Sequence, residues 1–326
     1  MRAMLNRRYG AAEDLKLEEI DAPVLEPGHV LVRVRAASVN AGDWRLMRGW
    51  PRVARPMMGG FRGADPPVRG WDLAGVVESV ADDVETLHPG DEVFGAGAGT
   101  FAELATAPAG RLALKPPWLS FEDAGAIGVA AVTALQALRD RVHVQPGHRV
   151  LVTGAGGGVG TYAVQIAKAY GAEVTGVCSA AKVELVRQLG ADRVIDYAVE
   201  DFTRDRRRYD VIFDIAGGRS LHATRRALTD DGALVVIGGK GNTLGPIARV
   251  AKVVVLKQLA RRQRLMPFLA HVTTADLLEL AAMIEAGTIR VPVDRTYPLT
   301  ETGAAIRYVE DGHVRGKAVV VVSHPA

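Results

Sequence analysis

The sequence has little of what several classes of protein require. Cys178 is the one cysteine among 326 residues, which excludes an intramolecular disulfide, a zinc site with two or more cysteine ligands and a four-cysteine iron–sulfur cluster. No apolar run reaches the roughly 18 residues that a membrane span needs, and residues 1–10 lack the apolar segment of a secretory signal. We therefore expect a cytoplasmic protein with no membrane partner.

An excess of basic charge is also missing. The 40 Lys and Arg residues against 37 Asp and Glu give a net charge of +3, whereas a dedicated nucleic-acid binder concentrates basic charge on one face. We therefore expect no nucleic-acid partner. Hydrophobic residues at 48% and charged residues at 24% are typical of a globular protein, and the length predicts two domains at about 150 residues each.

The order of the predicted elements indicates how the two domains are arranged along the chain. Residues 1–121 contain short strands such as Val30–Ala36 and Leu73–Val80 between Gly and Pro residues, which is typical of a small barrel or sandwich. Within residues 122–272, apolar strands alternate with helices, which predicts a doubly wound parallel sheet. Residues 273–326 end in another strand of barrel type, so we predict that they return to the first domain.

The strongest motif is a glycine-rich turn between a predicted strand, Arg149–Thr153, and a predicted helix, Val159–Tyr170. Glycine permits a tight turn and a close approach to a pyrophosphate, and the helix N-terminus offers backbone N–H groups. The strict G-x-G-x-x-G pattern is not matched, because Ala155 stands at its first position. An ordinary strand–helix turn is the alternative to a dinucleotide site. The residues predicted to bind the dinucleotide here are Gly154, Gly157, Gly158, Val159 and Gly160.

The end of the next strand predicts which dinucleotide is bound. An NAD enzyme carries Asp or Glu about 20 residues after the glycine turn, where the carboxylate binds the ribose hydroxyls. This chain instead has Ser179 and Lys182 there, a hydroxyl and an ammonium with no acid between them. We predict that both bind a 2′-phosphate, with Tyr197 covering the same pocket, so that the cofactor is NADPH. In the alternative interpretation, Lys182 is only an exposed helix residue.

Further segments, spread in order along the chain, carry a family resemblance. With the glycine turn, they make the chain resemble the medium-chain dehydrogenase/reductase superfamily, specifically its zinc-free quinone oxidoreductase-like branch. The resemblance covers nearly the whole chain. It implies an α/β fold with a GroES-like β-barrel catalytic domain, 1–121 and 273–326, plus an inserted Rossmann doubly wound parallel sheet, 122–272. The segments are Ala37-Ser38-Val39-Asn40-Ala41-Gly42-Asp43-Trp44, Gly70-Trp71-Asp72-Leu73-Ala74-Gly75-Val76-Val77, Gly190-Ala191-Asp192-Arg193-Val194-Ile195-Asp196-Tyr197 and Arg315-Gly316-Lys317-Ala318-Val319-Val320.

The chain departs from the zinc-dependent branch of the family it resembles. That branch has a cysteine at the position of Asn40, a Gly-His-Glu at Gly70-Trp71-Asp72 and a further cysteine near Val129. Cysteine and histidine are the ligands that a catalytic zinc needs, and none of the three positions keeps one. We therefore expect no metal and disfavour a zinc-dependent alcohol dehydrogenase.

Hydride transfer without a metal, in a cleft between the two domains, is the activity that the resemblance implies. Reducing a quinone, or an alkene conjugated to a carbonyl, places negative charge on an oxygen that needs a hydrogen-bond donor. By resemblance, Asn40 donates through its amide, Asp43 orients it or holds a water, and Thr133 lies beside the nicotinamide. A helix-packing role is the alternative for Thr133. No tyrosine lies between Tyr9 and Tyr162, so the first domain offers no phenol donor unless Tyr9 reaches the cleft, and we predict that the proton comes from water.

The sequence thus predicts an NADPH-dependent oxidoreductase that transfers hydride to a small molecule, a quinone or an enone. An enoyl reductase of a biosynthetic pathway is one alternative. A non-catalytic NADPH-binding sensor or adaptor is another, because no residue is an unambiguous acid–base catalyst. Members of the family that the chain resembles often dimerise by pairing the edge strands of their nucleotide domains, and Leu265–Val272 occupies the matching place, so we expect a homodimer. The remaining predicted cofactor contacts are Ala216, Gly238 and Arg315.

Overall fold

The computed structural model describes residues 1–50, 52, 55, 67–237, 249, 251–256 and 262–324. They form two compact units: the first comprises Met1–Val132, His271–Met283 and Val291–Ala326, the second Thr133–Ala270 and Ile284–Arg290. The domain boundaries expected from the sequence stay a prediction. Gly238, predicted to contact the cofactor, lies outside the described residues. No described helix is long and apolar enough to span a membrane.

Strands and helices make up both units, and the strands are numbered along the chain. The strands are β1 (Arg2–Leu5), β2 (Lys16–Glu19), β3 (His29–Ser38), β4 (Asp72–Val80), β5 (Glu92–Ala96), β6 (Leu104–Pro108), β7 (Leu112–Leu114), β8 (Arg149–Thr153), β9 (Glu173–Cys178), β10 (Arg193–Asp196), β11 (Tyr209–Asp214), β12 (Leu228–Val236), β13 (Arg264–Pro267), β14 (Val293–Pro298) and β15 (Lys317–Val321). The α-helices are Ala41–Met47, Phe121–Ala124, Gly128–Gln136, Gly158–Ala169, Val183–Gln188, Leu221–Arg226, Thr274–Glu285 and Thr302–Glu310.

The first unit is organised around β3. This strand pairs antiparallel with β4, β6 and β15, and the described sheet follows the order β14-β15-β3-β4-β5-β7 with β6 also paired to β3. Val30, Val32 and Val34 are fully buried, while Arg33 and Arg35, which follow Val32 and Val34, are exposed. This alternation is what a strand with one face on the core requires. The pairing of β15 with β3 confirms that the end of the chain returns to the first unit.

The second unit is a parallel sheet in the order β10-β9-β8-β11-β12-β13. Strands β8 and β11 lie in its middle, and their apolar residues Leu151 and Ile212 are fully buried, as expected where helices cover both faces. The chain runs outward from β8 to one side through β9 and returns to the other side through β11. Ligands of such sheets bind at the carboxyl ends of the strands where this order reverses, which is between β8 and β11.

Candidate functional site

The glycine-rich turn lies at that reversal point, between β8 and the helix Gly158–Ala169. Gly154 adopts a φ of +69°, a conformation that side chains other than glycine rarely take. A Cβ on Gly160 would lie 2.1 Å from the carbonyl oxygen of Gly154 and 2.7 Å from the Cα of Ala155. The first turn of the helix therefore packs directly on the backbone of the turn. Gly157 precedes the helix, so the amides of Gly158, Val159 and Gly160 fall in its first turn, where N–H groups lack intrahelical acceptors.

A buried hydrogen-bond network holds this turn to the loop that follows β11. The hydroxyl of Thr153 donates to Asp214 Oδ1 at 2.8 Å and accepts from the amides of Ile215 and Ala216 at 3.0 and 3.1 Å. Arg249 makes an ion pair with the other oxygen of Asp214. Ala216, a predicted cofactor contact, is thus fixed beside the turn. The sequence analysis missed Asp214 and Arg249; the available signal was an acid at the end of an apolar strand.

The predicted 2′-phosphate residues follow β9 and β10. Lys182 lies against the glycine turn, because a Cβ on Gly156 would be 2.8 Å from the Cβ and Cδ atoms of Lys182. Ser179 directly follows β9 and is half-buried. The amide of Tyr197 donates to the carbonyl of Cys178 at 3.1 Å, which joins the two loops, and the Tyr197 side chain is 50% exposed. Ser179, Lys182 and Tyr197 are therefore presented at the same edge of the sheet as the glycine turn.

Cys178 ends β9 beside this pocket and its thiol is buried. Burial, with a smaller contribution from the Asp196 carboxylate, raises the pKa of the Cys178 thiol to about 11. Because the thiolate is the reactive form of cysteine, the side chain stays a neutral thiol at physiological pH. The geometry is that of a small packing residue.

A second cluster of functional side chains lies in the first unit. Asp72 and Lys317 begin β4 and β15, and both side chains are buried, with exposed fractions of 0% and 1%. The Lys317 ammonium donates to Asp72 Oδ2 at 3.1 Å and to Asn40 Oδ1 at 2.7 Å. Asp72 Oδ2 also accepts from Ser38 Oγ at 2.6 Å, and Asp72 Oδ1 accepts from the amide of Val129 at 2.6 Å. The result is a buried ion pair with its carboxylate fully hydrogen-bonded.

Asn40 is the half-buried member of this cluster and precedes the helix Ala41–Met47. Its side-chain Nδ2 donates to Asp72 Oδ2 at 2.9 Å, and it lies 3.5 Å from the carbonyl oxygen of Ser38. One amide hydrogen of Asn40 is therefore firmly bound, whereas the second has, among the described residues, only a contact at the limit of hydrogen-bond length. A weakly held N–H is what a donor to a substrate oxygen requires.

Asp43 lies one helical turn beyond Asn40 and is buried, with an exposed fraction of 1%. Its Oδ2 accepts from the backbone amide of Asn40 at 2.7 Å. Its Oδ1 has no hydrogen-bond partner of normal geometry among the described residues. The backbone of Gly70 nevertheless contributes to lowering the pKa of the Asp43 carboxyl. Burial, followed by repulsion from Asp72, raises the pKa of Asp43 to about 7 against the opposing effects of the Asn40 amide and Lys317. Both protonation states are therefore populated at neutral pH.

Two predicted site residues belong to a different unit from the residues with which they were predicted to act. Thr133 is buried in the helix Gly128–Gln136 and begins the second unit, whereas Asn40 and Asp43 belong to the first. Arg315, a predicted cofactor contact, belongs to the first unit, where it is exposed and its amide donates to Asp294 Oδ2 at 2.9 Å. The roles predicted for both residues stay predictions.

Comparison with known proteins identifies the family. Two family models match: an alcohol dehydrogenase GroES-like domain over residues 26–117 and a zinc-binding dehydrogenase over residues 189–320. The mitochondrial NAD(P)H oxidoreductase RTN4IP1 of Mus musculus is 34% identical, covering 99% of this chain and 89% of its own. The quinone oxidoreductase structure from Coxiella burnetii has a TM-score of 0.88 and 29% identity, with 99% of both chains covered. The chain belongs to the medium-chain dehydrogenase/reductase family, in its quinone oxidoreductase-like branch.

Membership of this family confirms the predicted fold class, a GroES-like domain with a parallel Rossmann sheet. A further medium-chain relative, the chloroplastic NADPH-dependent alkenal/one oxidoreductase of Arabidopsis thaliana, is 32% identical, covering 98% of this chain and 79% of its own. The chain is therefore an oxidoreductase with a nicotinamide cofactor and a small-molecule substrate. The glycine turn fits that cofactor, because Gly160 lets the first turn of the helix, with its free N–H groups, pack directly on the backbone of the turn.

Zinc, which the description of one family model implies, does not fit the residues present. Among the described residues, no three His, Cys, Asp or Glu side chains are grouped so that they could hold a metal ion. The carboxylate of Asp72 and the carbonyl oxygen of Asn40 already bind the ammonium of Lys317. The ammonium of Lys317 thus occupies the space between Asn40 and Asp72, two of the positions that correspond by resemblance to zinc ligands in the zinc-dependent branch.

Proposed function

We propose that this medium-chain reductase transfers hydride from NADPH to a quinone or to an alkene conjugated to a carbonyl, without zinc. The observation that carries the proposal is the Lys182 side chain lying against the glycine turn, where an NAD enzyme needs a carboxylate. The names of the relatives support the substrate class, since one is a quinone oxidoreductase and another an alkenal/one oxidoreductase.

NADPH, when bound, supplies the hydride, which carries the electrons of the reduction. The glycine turn and the amides at the start of the helix Gly158–Ala169 would hold its pyrophosphate. Ser179 and Lys182 would hold the 2′-phosphate. The weakly bound N–H of Asn40 would donate to the substrate oxygen on which negative charge develops, and water would supply the proton that completes the reduction.

Lys182→Ala is expected to weaken NADPH binding on the order of 10- to 100-fold, because a charged hydrogen bond to the 2′-phosphate is lost. NADH binding should change little, since NADH has no 2′-phosphate. Calorimetric titration of both dinucleotides on both proteins measures this difference. Lys168→Ala, which removes a surface lysine paired with Asp192, is the matched control. Equal binding of NADPH and NADH by the unmodified protein would contradict the NADPH assignment.

Turnover tests the proposed reaction directly. With saturating NADPH, the unmodified protein is expected to oxidise the dinucleotide in the presence of at least one member of a panel of quinones and enones. Asn40→Ala should lower kcat on the order of 10- to 100-fold, because the developing charge loses a donor, while NADPH binding is unchanged. Tight NADPH binding without turnover on any member of the panel would instead support a sensor or adaptor.

The homodimer stays a proposal. Within the described residues, β13 forms one edge of the sheet in the second unit and pairs only with β12. An unpaired strand edge is a ready site for pairing with another chain. The segment Leu265–Val272, expected from the sequence to pair two subunits, includes most of this strand.

A further inference from the structure

We propose that Lys317 is a positioning residue whose buried ammonium holds the Asn40 carboxamide in the orientation that presents an N–H to the substrate oxygen. This inference rests on the proposed function, because it assigns the N–H of Asn40 to that oxygen. It concerns a residue that the sequence analysis named only within a segment of family resemblance.

The need for such a residue follows from the shape of a carboxamide. Its oxygen and nitrogen ends are nearly equal in size, so packing alone does not choose between the two flipped orientations. Charge does choose. Lys317 can only donate and an ionised Asp72 can only accept, which places the oxygen of Asn40 toward the ammonium and its nitrogen toward the carboxylate. A flipped amide would meet two repulsive contacts in a site that excludes water.

The ammonium has no capacity left for the substrate. Its three hydrogens face Asn40 Oδ1 at 2.7 Å, Asp72 Oδ2 at 3.1 Å and the carbonyl oxygen of Val39 at 3.4 Å. An ammonium has three donors and no acceptor, so these contacts use all of them. Lys317 must therefore act through Asn40.

The backbone fixes this arrangement as firmly as the side chains do. In the antiparallel pairing of β15 with β3, Val319 lies opposite Ser38, and the amide of Val39 donates to the carbonyl of Ala318 at 3.0 Å. The register thus brings Lys317 beside Asn40 although 277 positions separate them. Asp43 holds the backbone amide of Asn40 from the other side. Because the backbone and the carboxamide oxygen of Asn40 are both held, its second amide hydrogen can point in only one direction.

A double-mutant cycle tests the proposal, with kcat measured on a quinone or enone that the unmodified protein reduces. Lys317→Met is expected to lower kcat on the order of 10- to 100-fold, because a misplaced donor loses most of its effect, with the Kd for NADPH unchanged. Lys317→Arg should recover part of this loss. Lys317→Met combined with Asn40→Ala should be no slower than the slower single variant, since both changes remove the same function, donation by the Asn40 N–H. Losses that multiply, or equal losses with Met and Arg, would overturn the proposal.

Stability must be separated from positioning, because Lys317→Met leaves Asp72 buried without its partner. Lys115→Met is the matched control: it removes another buried lysine of the first unit, which pairs with Glu92, and should keep kcat near that of the unmodified protein. If Lys317→Met does not fold, Lys317→Met with Asp72→Asn removes both charges and takes its place in the cycle. A comparable loss of kcat in Lys115→Met would contradict the assignment.

A spectroscopic measurement keeps the inference separate from the activity. The side-chain N–H signals of Asn40, assigned by their loss in Asn40→Ala, should show slowed hydrogen exchange in the unmodified protein and in Lys115→Met. They should exchange faster in Lys317→Met. If this pattern is seen but no substrate is turned over, the proposed function is refuted, whereas the conclusion that Lys317 holds Asn40 is supported. Equal exchange in all three proteins would overturn the inference whatever the turnover.

Discussion

Gly160→Ala is expected to raise the Kd for NADPH by about 100-fold or more, because overpacking at a rigid contact displaces the backbone. The new Cβ would lie 2.1 Å from the carbonyl oxygen of Gly154, and no side-chain rotation can relieve this contact, because the backbone alone fixes the position of a Cβ. Either the helix Gly158–Ala169 or the glycine turn has to move, which separates the N–H groups that would hold the pyrophosphate.

Calorimetric titration with NADPH measures this loss, and thermal unfolding shows whether the variant is folded. Gly110→Ala is a suitable control, because a Cβ at Gly110 meets nothing within 4 Å and the residue lies in the first unit. A folded Gly160→Ala protein that binds NADPH as tightly as the unmodified one would show that the cofactor is held elsewhere.

The cofactor region was predictable because its signals are local. The strand Arg149–Thr153 was predicted with the bounds that the structure shows, and the helix predicted over Val159–Tyr170 is observed over Gly158–Ala169. A run of apolar residues, a glycine turn and an amphipathic helix lie within about 20 positions, so periodicity and turn chemistry suffice. The order of the parallel strands then follows from the short, right-handed crossovers of such units.

The polar cluster of the first unit was not predictable in the same way. Asn40, Asp72 and Lys317 come from three distant parts of the chain, and only the pairing of β15 with β3 and of β3 with β4 brings them together. A signal did exist: Asp72 and Lys317 are opposite charges that each begin a strand and directly precede an apolar run. Buried charges are rare unless paired, so an acid and a base in two buried strands predict contact without saying which atoms meet.

The role of Asp43 shows what burial adds to a prediction from resemblance. The sequence analysis placed this residue at the cleft to orient Asn40 or to hold a water. The structure shows that its carboxyl accepts from the backbone amide of Asn40, which is one half of a helix-capping arrangement. The ionisation of the carboxyl depends on its exclusion from water and on Asp72, Lys317 and Arg69 around it. The spacing of residues along the sequence gives no information about the burial and the charges around this carboxyl.

Asp43→Asn is expected to make the unfolding free energy of the first unit less sensitive to pH. The pKa of Asp43 rises from 3.8 to about 7 on folding, so the folded protein prefers the protonated carboxyl. That preference stabilises the fold fully below pH 3.8 and is lost as the pH rises through about 7. Asparagine imitates the protonated form and keeps an oxygen for the Asn40 amide. Relative to the unmodified protein, the variant should therefore gain on the order of 3 to 4 kcal/mol between pH 4 and pH 8.

Urea unfolding at intervals between pH 4 and pH 8, followed by tryptophan fluorescence, measures this gain. All four tryptophans, Trp44, Trp50, Trp71 and Trp118, lie within the first unit, so the signal reports the unit that contains Asp43. Glu103→Gln is the control, because Glu103 lies in the same unit and hydrogen bonds from the backbone and side chain of Arg2 keep its pKa below its usual range, so its stability difference should be flat above pH 5. A difference for Asp43→Asn that is equally flat would mean that Asp43 is ionised throughout, and that the Asn40 amide and Lys317 outweigh its burial.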